Sequence, residues 1–182
     1  RRSSDLKGLG FQVSAMAHNI LQNRLHYEQA EDSVVSCLAD LNRFANEGSG
    51  FQLSLEQMYD PHLPPFTIKQ AKRYLTRISQ QSGLPFYLTI DTGHAIGQQK
   101  FLRPSPEDLL SAIKEGNSCI WLGTDHAYDL FETAVHTSDS GKRSDLIQQI
   151  LEDIDGHDYL FSSHEDTDIY HWIEQLGSRC PI

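Results

Sequence analysis

Two stretches that alternate apolar and polar residues, FQLSLEQM at 51–58 and FYLTID at 86–91, stand on either side of one amphipathic segment. In the first, Phe51, Leu53 and Leu55 share one face and Gln52, Ser54 and Glu56 the other; in the second, Phe86, Leu88 and Ile90 oppose Tyr87, Thr89 and Asp91. A period of two marks a β-strand with one apolar face. Between them a Pro-rich loop, DPHLPP, leads into a segment with Ile68, Ala71, Leu75 and Ile78 at helical spacing, ending before Gly83. Strand, helix and strand in this order form a parallel unit with a right-handed crossover. Glu56 and Asp91 then fall at the same parity and at the same end of two neighbouring strands.

In an open doubly wound sheet helices cover both faces, and the strands are apolar throughout. Here one face is polar and ends in acids, as expected where inward residues line the rim of a barrel. The residues therefore favour an α/β fold of (β/α)8 TIM-barrel type, with residues 1–182 forming a single partial barrel domain. An upstream helix is expected from about Glu28 to Asn46, carrying Val34, Leu38, Leu41 and Ala45 and stopped by Gly48 and Gly50. Downstream, Ser105, Pro106, Glu107 and Asp108 open a helix that should stop near Gly116. CIWLG reads as a short strand or buried run, RSDLIQQILEDID as a short helix, and DTDIYHWIEQLG as a final helix with Ile169, Trp172, Ile173 and Leu176 on one face. A βα unit needs far fewer residues than Asp91 to Ile182 supplies, so about 97–165 is expected to be an insertion, a lid or wall on the active-site side. The ends, Arg1-Arg2-Ser3-Ser4 and SRCPI, and a length below the ~200–250 residues of a complete barrel point to a piece of a longer protein.

Acidic residues outnumber Lys and Arg by 25 to 15, for a formal net charge of −10. No cluster of Lys and Arg interrupts the acidity, which argues against a nucleic-acid partner, because phosphate contacts need concentrated positive charge. No apolar run approaches the ~18 residues of a membrane span, and no signal peptide opens the chain, so no membrane partner is expected. Cys37, Cys119 and Cys180 show neither CxxC nor zinc spacing and read as reduced, buried thiols of a cytoplasmic protein. The oligomeric state stays open, a homo-oligomer included.

Two carboxylates on adjacent strand ends, with an imidazole three residues beyond the second, make a mixed oxygen and nitrogen donor set suited to a divalent metal. Parallel neighbours lie ~4.8 Å apart, so one ion could touch both acids. On this reading Glu56 and Asp91 ligate the metal and His94 is a third ligand or a substrate contact. An alternative stands beside it: the acids cap helix N-termini and His94 bonds to backbone. His62, in the loop after Glu56, is a candidate substrate contact, as are Lys100 and Arg103, a basic pair that could grip a substrate or simply stand on a loop or helix start. The remaining histidines, including those of DGHDYLFSSHEDTD, match no ligand spacing and read as part of a solvated acidic loop.

LEQMYDPHLPPFTI followed by LTIDTGHAIGQQKFLRP resembles the sugar phosphate isomerase/epimerase group of the xylose isomerase-like TIM barrels, which also contains the apurinic endonucleases. The tail EDTDIYHWIEQLGSRCPI is similar to the segment leading into the seventh strand of some members. In that group a Glu ends the fifth strand and an Asp, in a D-x-G/C-H setting, the sixth, and both bind metal; the matching positions are Glu56 and Asp91. His94 matches a histidine that ligates metal in the endonucleases and touches substrate in the epimerases. The first four strands and the last two are not recognisable here. The resemblance implies isomerisation or epimerisation of a small sugar or sugar phosphate with Mn, Mg, Co or Zn, Glu56 serving as both ligand and base. Two rival functions are an apurinic-endonuclease-like metal hydrolase, which the charge opposes, and a catalytically incomplete fragment or binding domain.

Overall fold

The computed structural model describes residues 8–11, 16–49, 51–116 and 119–180. Strand β1 (Gly8–Phe11), helices α1 (His18–Leu21) and α2 (Arg24–Ser49), strand β2 (Gln52–Glu56), helix α3 (Ile68–Ser82) and strand β3 (Tyr87–Thr89) come first. Helices α4 (Thr92–Gly97), α5 (Pro106–Glu115), α6 (Asp125–Val135), α7 (Ser140–Gly156) and α8 (Ile169–Leu176) follow. The three strands form one parallel sheet in the order β1-β2-β3, with Leu55 opposite Leu88 and Glu56 opposite Thr89.

The strand–helix–strand unit forms as the periodicity predicts. Leu53, Leu55, Phe86 and Leu88 are buried, and they meet Ala71, Tyr74, Leu75 and Ile78 of α3. Thr67 caps α3 by accepting from the Gln70 amide, and Gly83 ends it with φ 72°, a left-handed turn that suits a residue without Cβ.

The barrel expectation is overturned. Among the described residues there are three short strands in one small sheet, helices dominate, and no (β/α)8 pattern is present. The polar face that suggested a barrel interior has a local explanation: Ser54, itself buried, and Thr89 hydrogen-bond hydroxyl to hydroxyl across β2 and β3 at 2.9 Å. A cross-strand pair of this kind satisfies polar groups without a lumen to line. β1, a strand the sequence reading does not find, pairs parallel with β2, with Gly8 opposite Gln52.

Residues 97–165 build a second apolar body. Leu109 and Ile113 of α5, Phe131 of α6 and Ile147, Ile150 and Ile154 of α7 pack with Leu21, Tyr27, Leu122 and Leu160. The 26-residue α2 ties the two bodies together, contributing Tyr27 to this cluster and Val35, Leu38 and Ala39 to the sheet cluster. It runs through Gly48 instead of stopping there, while Gly50 lies outside the described residues. Ser105 caps α5 as expected, its side chain and that of Asp108 closing a capping box, and Gly116 ends that helix at φ 62°. The Ser105 amide and hydroxyl hold the Asp108 carboxyl below the usual carboxylate range. Within CIWLG, residues 119–123 form no strand; Leu122 is buried and Trp121 packs edge-on against Phe101 and Phe161.

α8 buries Trp172 and Leu176 but leaves Ile173 about half exposed, so the expected apolar face is narrower than four residues. The segment after it turns as a 310 helix over Gly177–Arg179; Pro181 and Ile182, like Arg1 to Ser4, lie outside the described residues. Cys37 and Cys119 are exposed and Cys180 is partly buried, which corrects the expectation of buried thiols. No helix among the described residues is long and apolar enough to cross a membrane.

Candidate metal centre

Glu56 is the last residue of β2, and Asp91 follows β3 by two residues, so parallel pairing brings both to the same edge of the sheet. α4 begins immediately after Asp91 and carries His94 in its first turn. Glu56, Asp91 and His94 each offer one donor atom, and these atoms all lie within 4.8 Å of one another. All three residues are partly buried and reachable from solvent.

Each of the two well-held residues divides its atoms between structure and site. Asp91 Oδ1 accepts from the amides of Gly93 at 2.7 Å and His94 at 3.3 Å, capping α4, while Oδ2 faces His94 Nε2 at 4.0 Å. His94 Nδ1–H donates to the Gln57 carbonyl at 2.6 Å. A carbonyl can only accept, so in the neutral ring the proton sits on Nδ1 and Nε2 carries the lone pair. Fixing the tautomer by donating the other nitrogen to backbone is how metal-binding imidazoles are oriented. The capping alternative is therefore correct for Asp91 Oδ1 and the backbone alternative for His94 Nδ1, and both leave Oδ2 and Nε2, 4.0 Å apart, as the remaining donor atoms of the two side chains. Ligands ~2.0–2.2 Å from an ion lie at most about 4.4 Å apart, so small side-chain shifts close this set on one.

Residues that the sequence reading passed over support the centre. Gln57 and Gln98, both fully buried, donate their amide groups to the same Met58 carbonyl at 2.6 and 3.2 Å. Gln98 follows His94 by four residues, so both side chains descend from one face of the α4 turn onto the Gln57–Met58 backbone. Tyr59 sets its ring 5.3 Å from the His94 ring. The signal for Gln98 was its spacing from His94; none marked Gln57 or Tyr59.

The other candidates separate. Lys100 sits over the Tyr59 and Phe101 rings at 4.9 Å from each centroid, and Tyr59 in turn packs against the His94 ring. Arg103 pairs instead with Asp155 at 2.5 Å and lies over Phe161, and no contact joins it to the triad. His62 lies beside Asp60 at 3.5 Å and stacks on His18, with no contact to Glu56, Asp91 or His94. A cleft of about 620 Å³ opens elsewhere, between α2, the start of α3 and α8, and includes none of the six candidates in its lining. Its charged groups are largely matched to one another: Arg73 to the buried Glu31, and Arg24 to Glu28 and Asp158. Burial drives the Tyr27 and Tyr74 hydroxyls upward, so both stay protonated beside Glu31.

Comparison with the profiles of known protein families, with curated proteins and with solved structures brings up no match for this chain.

Proposed function

We propose that Glu56, Asp91 and His94 hold a divalent ion, Mn, Mg, Co or Zn, and that the chain contributes this centre to an isomerase or epimerase of a small sugar or sugar phosphate. The observation that carries the reading is the convergence of the three donor atoms within 4.8 Å at the shared end of β2 and β3. The resemblance of LEQMYDP and LTIDTGH to sugar phosphate isomerases and epimerases supplies the substrate class. The setting is cytoplasmic, and the charge of −10 favours a small molecule over a nucleic acid.

When bound, the ion polarises a substrate carbonyl as a Lewis acid. Asp91 and His94 hold fixed positions through the α4 cap and the Gln57 carbonyl, so they orient the substrate's oxygens. Glu56 takes the proton from the carbon beside the carbonyl: the C–H bond breaks, its electron pair forms the C=C of an enediolate, and the negative charge moves to oxygen. For the isomer, the neighbouring hydroxyl passes its O–H proton to the former carbonyl oxygen, a new C=O forms at the neighbouring carbon, and Glu56 returns its proton to the former carbonyl carbon. For the epimer, a proton from water adds to the original carbon on the opposite face, the first C=O re-forms, and Glu56 releases its proton to solvent. General base catalysis of this kind contributes about 10²–10⁴-fold.

The test is deuterium incorporation in D2O beside the carbonyl of aldoses and ketoses, free and phosphorylated, followed by NMR with added Mn²⁺. Incorporation into at least one sugar is expected, with Glu56→Gln slowing it by about 10²–10⁴-fold. Absence of incorporation across the panel, or a Glu56→Gln variant exchanging at the wild-type rate, contradicts the proposal.

A further inference from the structure

We propose that Gln98 is a positioning residue of the centre: it ties the loop after β2 to α4 and, through the Gln57 carbonyl, keeps the His94 proton on Nδ1, so that Nε2 is presented as a metal donor. The inference rests on the proposed function for what Nε2 binds. Its own observation, two buried amides committed to one carbonyl, stands without a metal.

The two residues that follow Glu56 have all four of their backbone polar groups engaged. The Gln57 amide donates to the Thr89 carbonyl at 2.8 Å, and the Met58 amide to the Pro65 carbonyl at 2.9 Å. The Gln57 carbonyl accepts from His94 Nδ1 at 2.6 Å. The Met58 carbonyl accepts from the side-chain amides of Gln57, at 2.6 Å, and Gln98, at 3.2 Å. The Gln57 bond runs to the next residue and moves with the loop. The Gln98 bond spans 40 residues and, like that of His94, comes from the α4 turn. One bond would let the loop pivot about the imidazole; two bonds, one helical turn apart and onto successive carbonyls, do not.

The atoms left over separate this arrangement from ordinary packing. Among the described residues four buried side-chain atoms lack a hydrogen-bond partner, and two of the four are Gln57 Oε1 and Gln98 Oε1. Both glutamines are fully buried. A buried acceptor without a donor destabilises a fold, and an apolar side chain of the same length would fill the space without that cost. Turning either amide over would set its oxygen against the Met58 carbonyl oxygen and remove the donor, so the carbonyl dictates the orientation. Buried groups that break a local rule in this way gather at functional sites. Here the pair holds the backbone beside the carbonyl that accepts from His94, and the hydrogen bond of one imidazole nitrogen decides whether the other is free for a metal.

The experiment is nitrogen-15 NMR of the histidine rings in metal-free protein, with His94 assigned by its loss in His94→Gln, followed by Mn²⁺ titration and urea denaturation of the same samples. In wild type the neutral His94 ring should be a single Nδ1–H tautomer. Gln98→Met keeps the side-chain length but has neither the donor nor the unpaired oxygen. It should give a mixture of both tautomers and weaken Mn²⁺ binding about 10–100-fold at the urea midpoint of wild type. Gln98→Asn, which keeps the amide but withdraws it by one methylene, should move both readouts in the same direction, and Gln99→Met, at the exposed neighbour, neither. A wild-type ring protonated on Nε2, or a Gln98→Met ring that keeps the Nδ1–H tautomer, overturns the proposal. So does a tautomer change that comes only with a lower urea midpoint, or one that leaves the affinity of a Mn²⁺-binding protein unchanged. If neither protein takes up Mn²⁺ but Gln98→Met still mixes the tautomers, the metal reading fails and the positioning of His94 stands. If Mn²⁺ binds and Gln98→Met changes nothing, the positioning fails and the metal reading stands.

Discussion

Asp91→Asn should leave the fold close to wild-type stability while lowering Mn²⁺ affinity by about 100-fold or more. The two halves of this expectation come from the two oxygens of one side chain. Oδ1 caps α4 through the Gly93 and His94 amides, and an asparagine oxygen caps a helix as well as an aspartate oxygen does. Oδ2 faces His94 Nε2; replacing it with an NH2 group puts a donor where the ion needs an anionic acceptor. Loss of a residue that merely orients a ligand costs about 10–100-fold in metal affinity, so loss of a ligand belongs at or beyond the upper end. Urea denaturation and a Mn²⁺ titration of the same variant read the two halves separately. Mn²⁺ affinity within a few-fold of wild type would mean that Asp91 is a cap and no more.

Trp172→Ala should destabilise the protein by about 3–5 kcal/mol, a large share of the ~5–15 kcal/mol that folded domains have. The side chain is fully buried, and its indole N–H donates to the Asp166 carbonyl at 2.7 Å. Asp166 is buried as well: one carboxylate oxygen accepts from the Ile68 amide at the start of α3, and the other from the Ser163 amide and hydroxyl. Trp172 thus belongs to the joint that seats α8 against α3 and α4, the helix that carries His94. Trp172→Phe should retain most of the packing but leave the Asp166 carbonyl without its donor, a smaller loss of about 1–3 kcal/mol. Both shifts are measurable by urea denaturation. A cost below about 1 kcal/mol for the alanine variant would mean that α8 is not seated on the core.

The elements that could be read from the sequence are those whose local signals agree with their packing. Ile68, Ala71, Leu75 and Ile78 with Gly83 behind them specify α3, and Ser105, Pro106 and Gly116 specify α5, because cap, periodicity and stop coincide. α6 carries its own signals, a Thr124 cap and Ala127, Phe131 and Ala134 at helical spacing, but they lie within a histidine- and acid-rich stretch where the apolar stripe is thin. β1 is only four residues, two of them glycine, too short for an alternating pattern to register. α2 outruns its expected end because a single glycine costs a helix only about 1 kcal/mol, which the neighbouring turns absorb.

The barrel was the error of scale. Parity correctly places Glu56 and Asp91 together, but the polar face on which it rests is accounted for by the Ser54–Thr89 hydroxyl pair, with no ring of strands around it. Within the site, strand-end acids and the D-x-x-H spacing mark the donors. The groups that hold them are hidden, since Gln57 lies on the parity of the buried leucines and the use of its carbonyl by His94 has no sequence signature. Lys100 and Arg103 look alike in sequence, and only the structure shows that one rests on aromatic rings and the other is matched to Asp155.

The central claim is that one divalent ion sits between Glu56, Asp91 and His94, and the most direct measurement is pulsed electron paramagnetic resonance of the protein titrated with Mn²⁺. The account predicts one Mn²⁺ per chain with a directly coordinated imidazole nitrogen, and that nitrogen coupling should vanish in His94→Gln. A protein that takes up no Mn²⁺, or one whose nitrogen coupling survives in His94→Gln, would contradict it.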